Sequence, residues 1–160
     1  MIALLIGPSG VGKTFLGKWI AQKKGYEFEK LDKYIDKSVG IDSIDSKLEK
    51  KIREYLDSLI LKKEVFIIDV GAGFQERFSL DFFKEYTNHL IHIYPERMED
   101  LENKIKGRSI EDLENVEFCK ERKDVYNLAR YQLHREINFR DKNCVQDSMK
   151  LNDLILKILN

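Results

Sequence analysis

Residues 7–14 read Gly-Pro-Ser-Gly-Val-Gly-Lys-Thr and fit the pattern G-x-x-x-x-G-K-[ST]. The apolar run Ile2–Ile6 precedes them and predicts a buried strand, and the amphipathic run Lys13–Lys24 follows and predicts a helix. Glycines let the backbone curl so that successive N–H groups point at one phosphate chain, and the start of a helix attracts negative charge. A glycine-rich turn without a ligand is the alternative, but strand, loop and helix in this order are the context the pattern requires. The stretch therefore predicts a phosphate-binding loop.

Each residue type in this loop has an expected chemical task. Lys13 is expected to reach the β- and γ-phosphates of a nucleoside triphosphate, and the Thr14 hydroxyl is expected to ligate Mg²⁺. We therefore expect ATP and Mg²⁺ as cofactors. The residues predicted to contact the nucleotide are Gly7, Ser9, Gly10, Val11, Gly12, Lys13, Thr14 and Phe15. Because motors, GTPases and kinases share such a loop, the loop alone does not identify the reaction.

Short apolar runs alternate with longer amphipathic runs along the whole chain. This alternation predicts an α/β protein with the three-layer P-loop NTPase fold, in which helices flank a central, mostly parallel sheet of about five strands. Residues 1–160 are expected to form a single domain. The predicted strands are Ile2–Ile6, Tyr26–Leu31, Val65–Val70, His89–Tyr94 and a last strand at either Tyr131–His134 or Ile137–Phe139. The predicted helices are Lys13–Lys24, residues 46 to about 62, Leu80–Tyr86, Glu96–Lys106, Glu114–Ala129 and Asp147–Leu159.

The composition disfavours several classes of protein. Lys and Arg number 28 and Asp and Glu number 28, so the chain lacks the basic excess typical of a general nucleic-acid or acidic-membrane binder, although a local patch passes this test. The two cysteines, Cys119 and Cys144, form no CxxC pair, which disfavours a disulfide framework or a structural zinc site. The first apolar run is too short for a signal sequence or a membrane span. We expect a soluble cytoplasmic monomer whose partners are a nucleoside triphosphate and a small-molecule acceptor, with no nucleic acid and no membrane.

The rest of the sequence narrows the kind of nucleotide-binding protein. GTPases read their base with N-K-x-D, and no such tetrapeptide occurs here. The chain of 160 residues is also short for a motor or an AAA ATPase. Small P-loop kinases of this length remain.

Residues 7 to about 36, GPSGVGKTFLGKWIAQKKGYEFEKLDKYID, match a known pattern without gaps. That pattern ends in D-x-D-x-x-I-E, and here Asp32 and Ile35 occupy the second Asp and the Ile, while Lys30 replaces the first Asp. Further on, residues 71–73 read Gly-Ala-Gly where the pattern has Gly-Gly-Gly, and residues 122–129 are similar to R-x-P-L-Y-x-x-x-A. In these features the chain resembles the shikimate kinase family, closely in its first third and loosely beyond.

The resemblance implies roles for several residues at the acceptor site. Asp32 would hydrogen-bond the acceptor hydroxyl and act as a catalytic residue, although it could instead cap a helix over residues 31–36. Arg122 would grip a substrate carboxylate, with the solvated face of a Lys- and Glu-rich helix as the alternative. Arg53 is a weaker match to a substrate arginine, and surface ion pairing is at least as good an explanation. The backbone of Gly71, Ala72 and Gly73 would approach the substrate, or form only a tight turn.

A lid is expected near residues 104–114. Kinases of this type close a basic flap over the phosphates, and Lys104-Ile105-Lys106-Gly107-Arg108-Ser109 lies where the family places its lid. Arg108 is the candidate catalytic finger. A plain helix-ending turn, with Ser109 and Asp112 capping the next helix, is the alternative.

The departure at Lys30 leads to a hypothesis about the metal site. A lysine there places positive charge beside Mg²⁺, whereas Asp69, after four apolar residues at the end of a predicted strand, resembles a Walker B carboxylate. We expect Asp69 to join Thr14 as the metal ligands.

The sequence leaves three functions open. The first is an ATP-dependent kinase of a small anionic alcohol, with shikimate as the first acceptor to try. The second is a nucleoside or nucleotide kinase, and the third is a non-catalytic nucleotide-binding regulator, which Lys30 favours.

Overall fold

The computed structural model describes residues 1–34, 46–87, 89–95, 98–121 and 136–137. In these residues the chain forms six strands and six α-helices, with a short 3-10 helix over Leu31–Tyr34. The strands are β1 Ile2–Ile6, β2 Glu27–Lys30, β3 Phe66–Asp69, β4 His89–His92, β5 Tyr94–Pro95 and β6 Glu136–Ile137. The helices are α1 Lys13–Lys24, α2 Ser46–Ile60, α3 Ala72–Arg77, α4 Leu80–Lys84, α5 Met98–Ile105 and α6 Ile110–Glu121.

The central sheet has the order β2-β3-β1-β4, and all its strands are parallel. Leu4 of β1 lies in register with Ile68 of β3 on one side and with Leu90 of β4 on the other. Every residue of β1 and of β3 is buried, because each of these strands has a neighbour on both sides and helices above and below. This arrangement confirms the predicted α/β class and the parallel sheet.

Alternate residues of β1 enter two separate cores. Ile2, Leu4 and Ile6 pack against α2, α3 and α4, whereas Ala3 and Leu5 pack against α1. The period of two residues in a strand therefore sends consecutive apolar side chains to opposite faces of the sheet. Helices consequently cover both faces, which gives the three layers that the sequence predicts. A third small cluster, of Leu101, Ile105 and Val116, joins α5 to α6.

The structure differs from the sequence-based elements at a few places. The helix α3, which opens inside the Gly-Ala-Gly turn, was not predicted, because it has six residues and includes a glycine. The helix α6 begins at Ile110, four residues before the predicted start. The pair β5–β6 places strand structure at Glu136–Ile137, at the start of the second candidate for the last strand. The other candidate, the end of the helix at 122–129 and the helix over Asp147–Leu159 lie outside the described residues.

No helix in the described part of the chain has the length and apolar character needed to cross a bilayer.

Candidate active site

The candidate site lies at the edge of the sheet where β1, β2 and β3 end. The loop of residues 7–12 leaves β1 there and leads directly into α1. Gly7 has φ 141°, and a Cβ on it would lie 2.1 Å from the carbonyl oxygen of Ile93. Gly10 has φ 81°, and a Cβ on it would lie 2.6 Å from Cγ2 of Ile105. Both positions require glycine for their backbone angle and for space, as expected for a loop that curls around phosphates.

Lys13 begins α1 and is buried. Its Nζ donates hydrogen bonds to the carbonyl oxygens of Gly7, at 2.9 Å, and Pro8, at 3.0 Å. The ammonium group therefore lies within the curl of the loop, and the first turn of α1 contributes its own unpaired N–H groups there. Positive charge is concentrated at this point of the fold.

Thr14, in the first turn of α1, and Asp69, the last residue of β3, are in direct contact. The Thr14 hydroxyl donates to Oδ2 of Asp69 at 2.5 Å, and the Asp69 side chain is buried. The other oxygen, Oδ1, is buried with no hydrogen-bond partner. A buried carboxylate oxygen without a donor is costly unless a cation satisfies it, so these two side chains fit Mg²⁺.

The described residues contain no group of three His, Cys, Asp or Glu side chains that could hold a metal ion by themselves. This agrees with the way proteins bind Mg²⁺ at nucleotide sites, where one or two side chains act together with phosphate oxygens and water.

Asp32 lies against the turn that follows β3. A Cβ on Gly71 would lie 1.4 Å from Oδ1 of Asp32, so no other residue fits at position 71 while the carboxylate stays in place. Asp32 is the second residue of the 3-10 helix Leu31–Tyr34. Ala72 and Gly73 open α3 immediately after Gly71. The structure thus brings Asp32 and the Gly-Ala-Gly segment together.

Lys30 is the last residue of β2 and the register partner of Asp69 in β3. Neighbouring residues of two paired strands point to the same face of a sheet. The exposed Lys30 side chain therefore starts on the same face as the Asp69 carboxylate, beside the candidate metal ligands.

The end of α5 and the start of α6 pack onto the phosphate loop. Nζ of Lys104 donates to the Gly10 carbonyl oxygen at 3.2 Å, and Nη1 of Arg108 lies 3.4 Å from the position of a Cβ on Gly10. From α6, the Asp112 carboxylate accepts a hydrogen bond from the Ser9 hydroxyl at 2.5 Å. The segment expected to be a lid is thus in contact with the loop, and Arg108 points to the loop from an exposed position.

The alternative for this segment, a helix-capping turn, also describes part of what is found. The Ser109 hydroxyl accepts a hydrogen bond from the backbone N–H of Asp112 at 3.3 Å and so caps α6. The Asp112 side chain contacts Ser9 instead of returning to the start of the helix. Capping and contact with the loop therefore coexist.

Arg53 lies on α2, half-exposed, among acidic groups. Its Nε donates to Glu49 at 3.0 Å, and its Nη1 donates to Glu85 at 2.6 Å and to the Tyr86 hydroxyl at 3.1 Å. These hydrogen bonds, led by that to Glu85, raise the pKa of Arg53 above its usual value. The ring of Phe82 lies 4.6 Å from the guanidinium carbon. The ion pairing foreseen for Arg53 is therefore present, and it joins α2 to α4.

Two buried amides that the sequence analysis did not single out support the loop. The side chain of Gln75, in α3, exchanges hydrogen bonds with the backbone of Gly7. The Oδ1 of Asn115, in α6, accepts from the Ser9 backbone N–H at 2.8 Å. Residues 74–78 read Phe-Gln-Glu-Arg-Phe, and an amide next to an aromatic residue is only a weak signal for the first of them. Arg122 lies outside the described residues.

The parallel sheet, the glycine loop with Lys13 and the Thr14–Asp69 pair define an α/β P-loop protein. Residues 3–109 match the family described as "ATPase family associated with various cellular activities (AAA)". The match covers more than half of the chain, so the chain belongs to this family. The length of 160 residues, which argued against an AAA ATPase, does not exclude membership, because the match spans only residues 3–109.

Curated relatives include the shikimate kinase of Thermodesulfovibrio yellowstonii, which is 38% identical over 76 residues, or 44% of this chain and 44% of that kinase. The chain thus matches less than half the length of this relative. Among solved structures, the shikimate kinase of Bacteroides thetaiotaomicron has a TM-score of 0.62 at 20% identity, covering 97% of this chain and 98% of that chain. YorR from Bacillus subtilis, in complex with phosphorylated GDP, has a TM-score of 0.63 at 11% identity and covers 99% and 95%. The likeness to shikimate kinases is confirmed, and the structural likeness establishes the fold.

Proposed function

We propose that this protein is a kinase that transfers the γ-phosphoryl group of ATP to a hydroxyl group of a small anionic metabolite, with shikimate as the first acceptor to test. The observation that carries the proposal is the placement of Asp32 against Gly71, at the same sheet edge as Thr14 and Asp69. The Asp32 carboxylate can accept a hydrogen bond from an acceptor hydroxyl, and it does so at the sheet edge of the groups proposed to hold the phosphates and the metal. The likeness to shikimate kinases supports this choice of reaction.

In the proposed reaction, the nucleotide is held by the loop residues Gly7, Ser9–Gly12, Lys13, Thr14 and Phe15. Lys13 leaves the loop carbonyls and binds the β- and γ-phosphates, while Thr14 and Asp69 hold Mg²⁺, which when bound neutralises phosphate charge. Asp32 orients the acceptor hydroxyl and receives its proton as the hydroxyl oxygen forms a bond to the γ-phosphorus. The bond between that phosphorus and the β–γ bridging oxygen breaks, and ADP leaves.

The proposal also gives roles to three arginines and to the backbone of residues 71–73. Arg108 supplies positive charge from the lid, where it stabilises the transferring group. Arg122 grips a carboxylate of the acceptor, and the backbone of residues 71–73 lines the acceptor pocket. Arg53 forms a second contact with the acceptor. To make it, the acceptor carboxylate has to compete with Glu49 and Glu85 for the guanidinium group.

Lys30 favours a second candidate, a nucleotide-binding regulator without turnover. Its position in register with Asp69 puts a positive charge near the candidate metal ligands, and this charge opposes Mg²⁺ binding. Such a protein would bind the triphosphate but would not respond to an acceptor.

One assay tests the proposal and separates its rivals. ADP release is measured with ATP, Mg²⁺ and a panel of hydroxy acids and nucleosides, for the native protein and for the variants Lys13→Ala and Lys18→Ala. Lys18 is exposed on α1 and gives a matched loss of one lysine. Stimulation by a hydroxy acid, absent in Lys13→Ala and retained in Lys18→Ala, supports the kinase. Stimulation by nucleosides alone removes the anionic acceptor, and ATP binding without any stimulation supports the regulator.

A further inference from the structure

The side-chain amide of Gln75 connects the phosphate loop to the end of β3. Its Oε1 accepts a hydrogen bond from the backbone N–H of Gly7 at 2.9 Å. Its Nε2 donates to the carbonyl oxygen of Gly7 at 2.9 Å and to that of Val70 at 2.8 Å. The side chain is 2% exposed, so these three bonds form away from water.

The two strands that Gln75 joins carry the two halves of the candidate nucleotide site. Gly7 is the first residue of the loop, directly after β1, and Val70 follows Asp69 directly after β3. One amide therefore fixes the start of the phosphate loop relative to the candidate metal carboxylate. Gln75 lies in α3, and α3 begins within the Gly-Ala-Gly segment that is expected to line the acceptor site. The helix that carries Gln75 is therefore also next to the candidate acceptor site.

The carbonyl oxygen of Gly7 accepts from two donors, Nζ of Lys13 and Nε2 of Gln75, each at 2.9 Å. In the proposed function, Lys13 leaves this oxygen to bind phosphate. A buried carbonyl that loses its donor is left with a desolvation cost, and that cost would oppose nucleotide binding. The bond from Gln75 keeps this oxygen paired whether Lys13 is on the loop or on the phosphates.

We infer that Gln75 is a positioning residue for nucleotide binding, which holds the first loop glycine and keeps its carbonyl satisfied when Lys13 moves to the phosphates. The inference rests on the proposed nucleotide-binding function and concerns the affinity for the triphosphate, not the recognition of the acceptor.

Gln75→Met is the sharpest variant, because it keeps the length of the side chain, adds no charge and removes the amide donors and acceptor. Gln75→Glu is less informative, because its carboxylate would lie beside the Lys13 ammonium, which bonds the same Gly7 oxygen, and would compete with the phosphates for it. Gln75→Asn keeps the amide on a shorter side chain and serves as the second variant.

The experiment measures the dissociation constant of a fluorescent ATP analogue with Mg²⁺, and the KM for the acceptor at saturating ATP. It uses the native protein, Gln75→Met, Gln75→Asn and the matched control Gln22→Met, which makes the same change as the first variant at an exposed position of α1. All measurements are made below the unfolding transition of each variant. We expect Gln75→Met to bind the analogue about tenfold more weakly than the native protein, with an unchanged KM for the acceptor, and Gln75→Asn to change in the same direction. Gln22→Met should match the native protein in both measurements.

Two results would overturn the inference while leaving the proposed function intact: native affinity for the analogue in both Gln75 variants, or a loss of affinity accompanied by an equal rise in the KM for the acceptor. The first would mean that the amide is not needed for binding, and the second that its loss disturbs the site as a whole. Absence of binding by the native protein would instead remove the proposed function, and the inference with it.

Discussion

The two oxygens of the Asp69 carboxylate have different environments, and this difference leads to a prediction. Oδ2 accepts from Thr14, whereas Oδ1 is buried without a partner. Asp69→Asn removes a buried charge, so we expect the melting temperature to stay the same or rise. An amide is a poor ligand for Mg²⁺ compared with a carboxylate, so the gain in nucleotide affinity on adding Mg²⁺ should fall by about tenfold or more. Thermal unfolding and a Mg²⁺ titration of nucleotide binding measure the two effects.

Asp57→Asn is the control for this variant, because Asp57 is an exposed aspartate in the last turn of α2. It should leave the response to Mg²⁺ unchanged. A full Mg²⁺ response in Asp69→Asn would show that the metal is held without this carboxylate.

At the scale of single residues, the sequence predicts what is local and misses what is distant along the chain. The loop glycines and Lys13 are recognisable because the backbone curl imposes its demands within eight consecutive residues. The amides that support the loop come from Gln75 and Asn115, which are 68 and 106 residues away from their partners. No short pattern records such a pair, since a single buried amide in a helix has many possible partners.

The contact of the α5–α6 segment with the phosphate loop gives a prediction at the scale of an element. Arg108 is exposed and lies over Gly10, and no phosphate-loop carbonyl depends on its side chain for a hydrogen bond in the described residues. Arg108→Ala should therefore leave the fold and the ATP affinity nearly unchanged. It should lower kcat by about a hundredfold or more, because a lid arginine acts on charge that develops during transfer. Steady-state kinetics with the acceptor found in the panel provide the measurement.

Lys63→Ala serves as the comparison for Arg108→Ala, since Lys63 is an exposed cation in the loop before β3, away from the segment of residues 104–114. It should keep the native kcat. If Arg108→Ala turned over at the native rate, Arg108 would have no catalytic role and the segment would serve only to cap α6 and brace the loop.

The hydrogen bond between Arg53 of α2 and Tyr86, two residues after α4, gives a pH-dependent prediction. Burial raises the pKa of Tyr86 above its usual value of 10.0, against the opposing effect of the hydrogen bond from Arg53. The folded protein therefore holds the phenol proton more tightly than the unfolded chain does. This contribution to stability is complete below about pH 10 and is lost as the pH rises through the folded-state pKa.

Tyr86→Phe lacks this titration but also lacks the bond from Arg53. Its deficit in the free energy of unfolding should be largest near about pH 8 and should shrink above about pH 10. Urea unfolding across this range measures the deficit, with Tyr26→Phe as a control whose profile should run parallel to that of the native protein. A deficit that grows with pH would contradict the direction given for the pKa of Tyr86.

The strands were predictable at this scale because burial on both faces leaves an apolar run, as in Ile2–Ile6 and in residues 66–68 of β3. Helix α3 was not, because six residues beginning with Ala-Gly carry too little periodicity to distinguish a helix from a turn. Its formation depends on tertiary packing. Phe74 and Phe78 stack at 5.6 Å between ring centres and are buried under the sheet, which local propensity does not record.

Across the whole molecule, the order of the strands brings the candidate residues together. The chain runs from β1 to the far edge at β2, returns to β3 between them, and then crosses to β4 on the other side of β1. The carboxyl ends of β1, β2 and β3 therefore meet at one edge, where Lys13 follows β1, Asp32 follows β2 and Asp69 ends β3. Crevices at this edge of an open parallel sheet are where ligands bind in such folds. Only the order of the strands explains how residues that are far apart in the sequence come to lie at one site.

A site assembled from three strand ends exists only in the folded chain, so its ligand should stabilise the whole molecule. Mg²⁺ and ATP at about one hundred times the dissociation constant should add about 2.7 kcal/mol to the free energy of unfolding. For a domain of this size, the melting temperature should rise by about 5–10 °C. Lys13→Ala should show little or no rise, whereas Lys18→Ala should rise like the native protein, because only Lys13 lies within the loop. A melting curve unmoved by saturating nucleotide would mean that the curled loop binds no triphosphate, whatever acceptor is supplied.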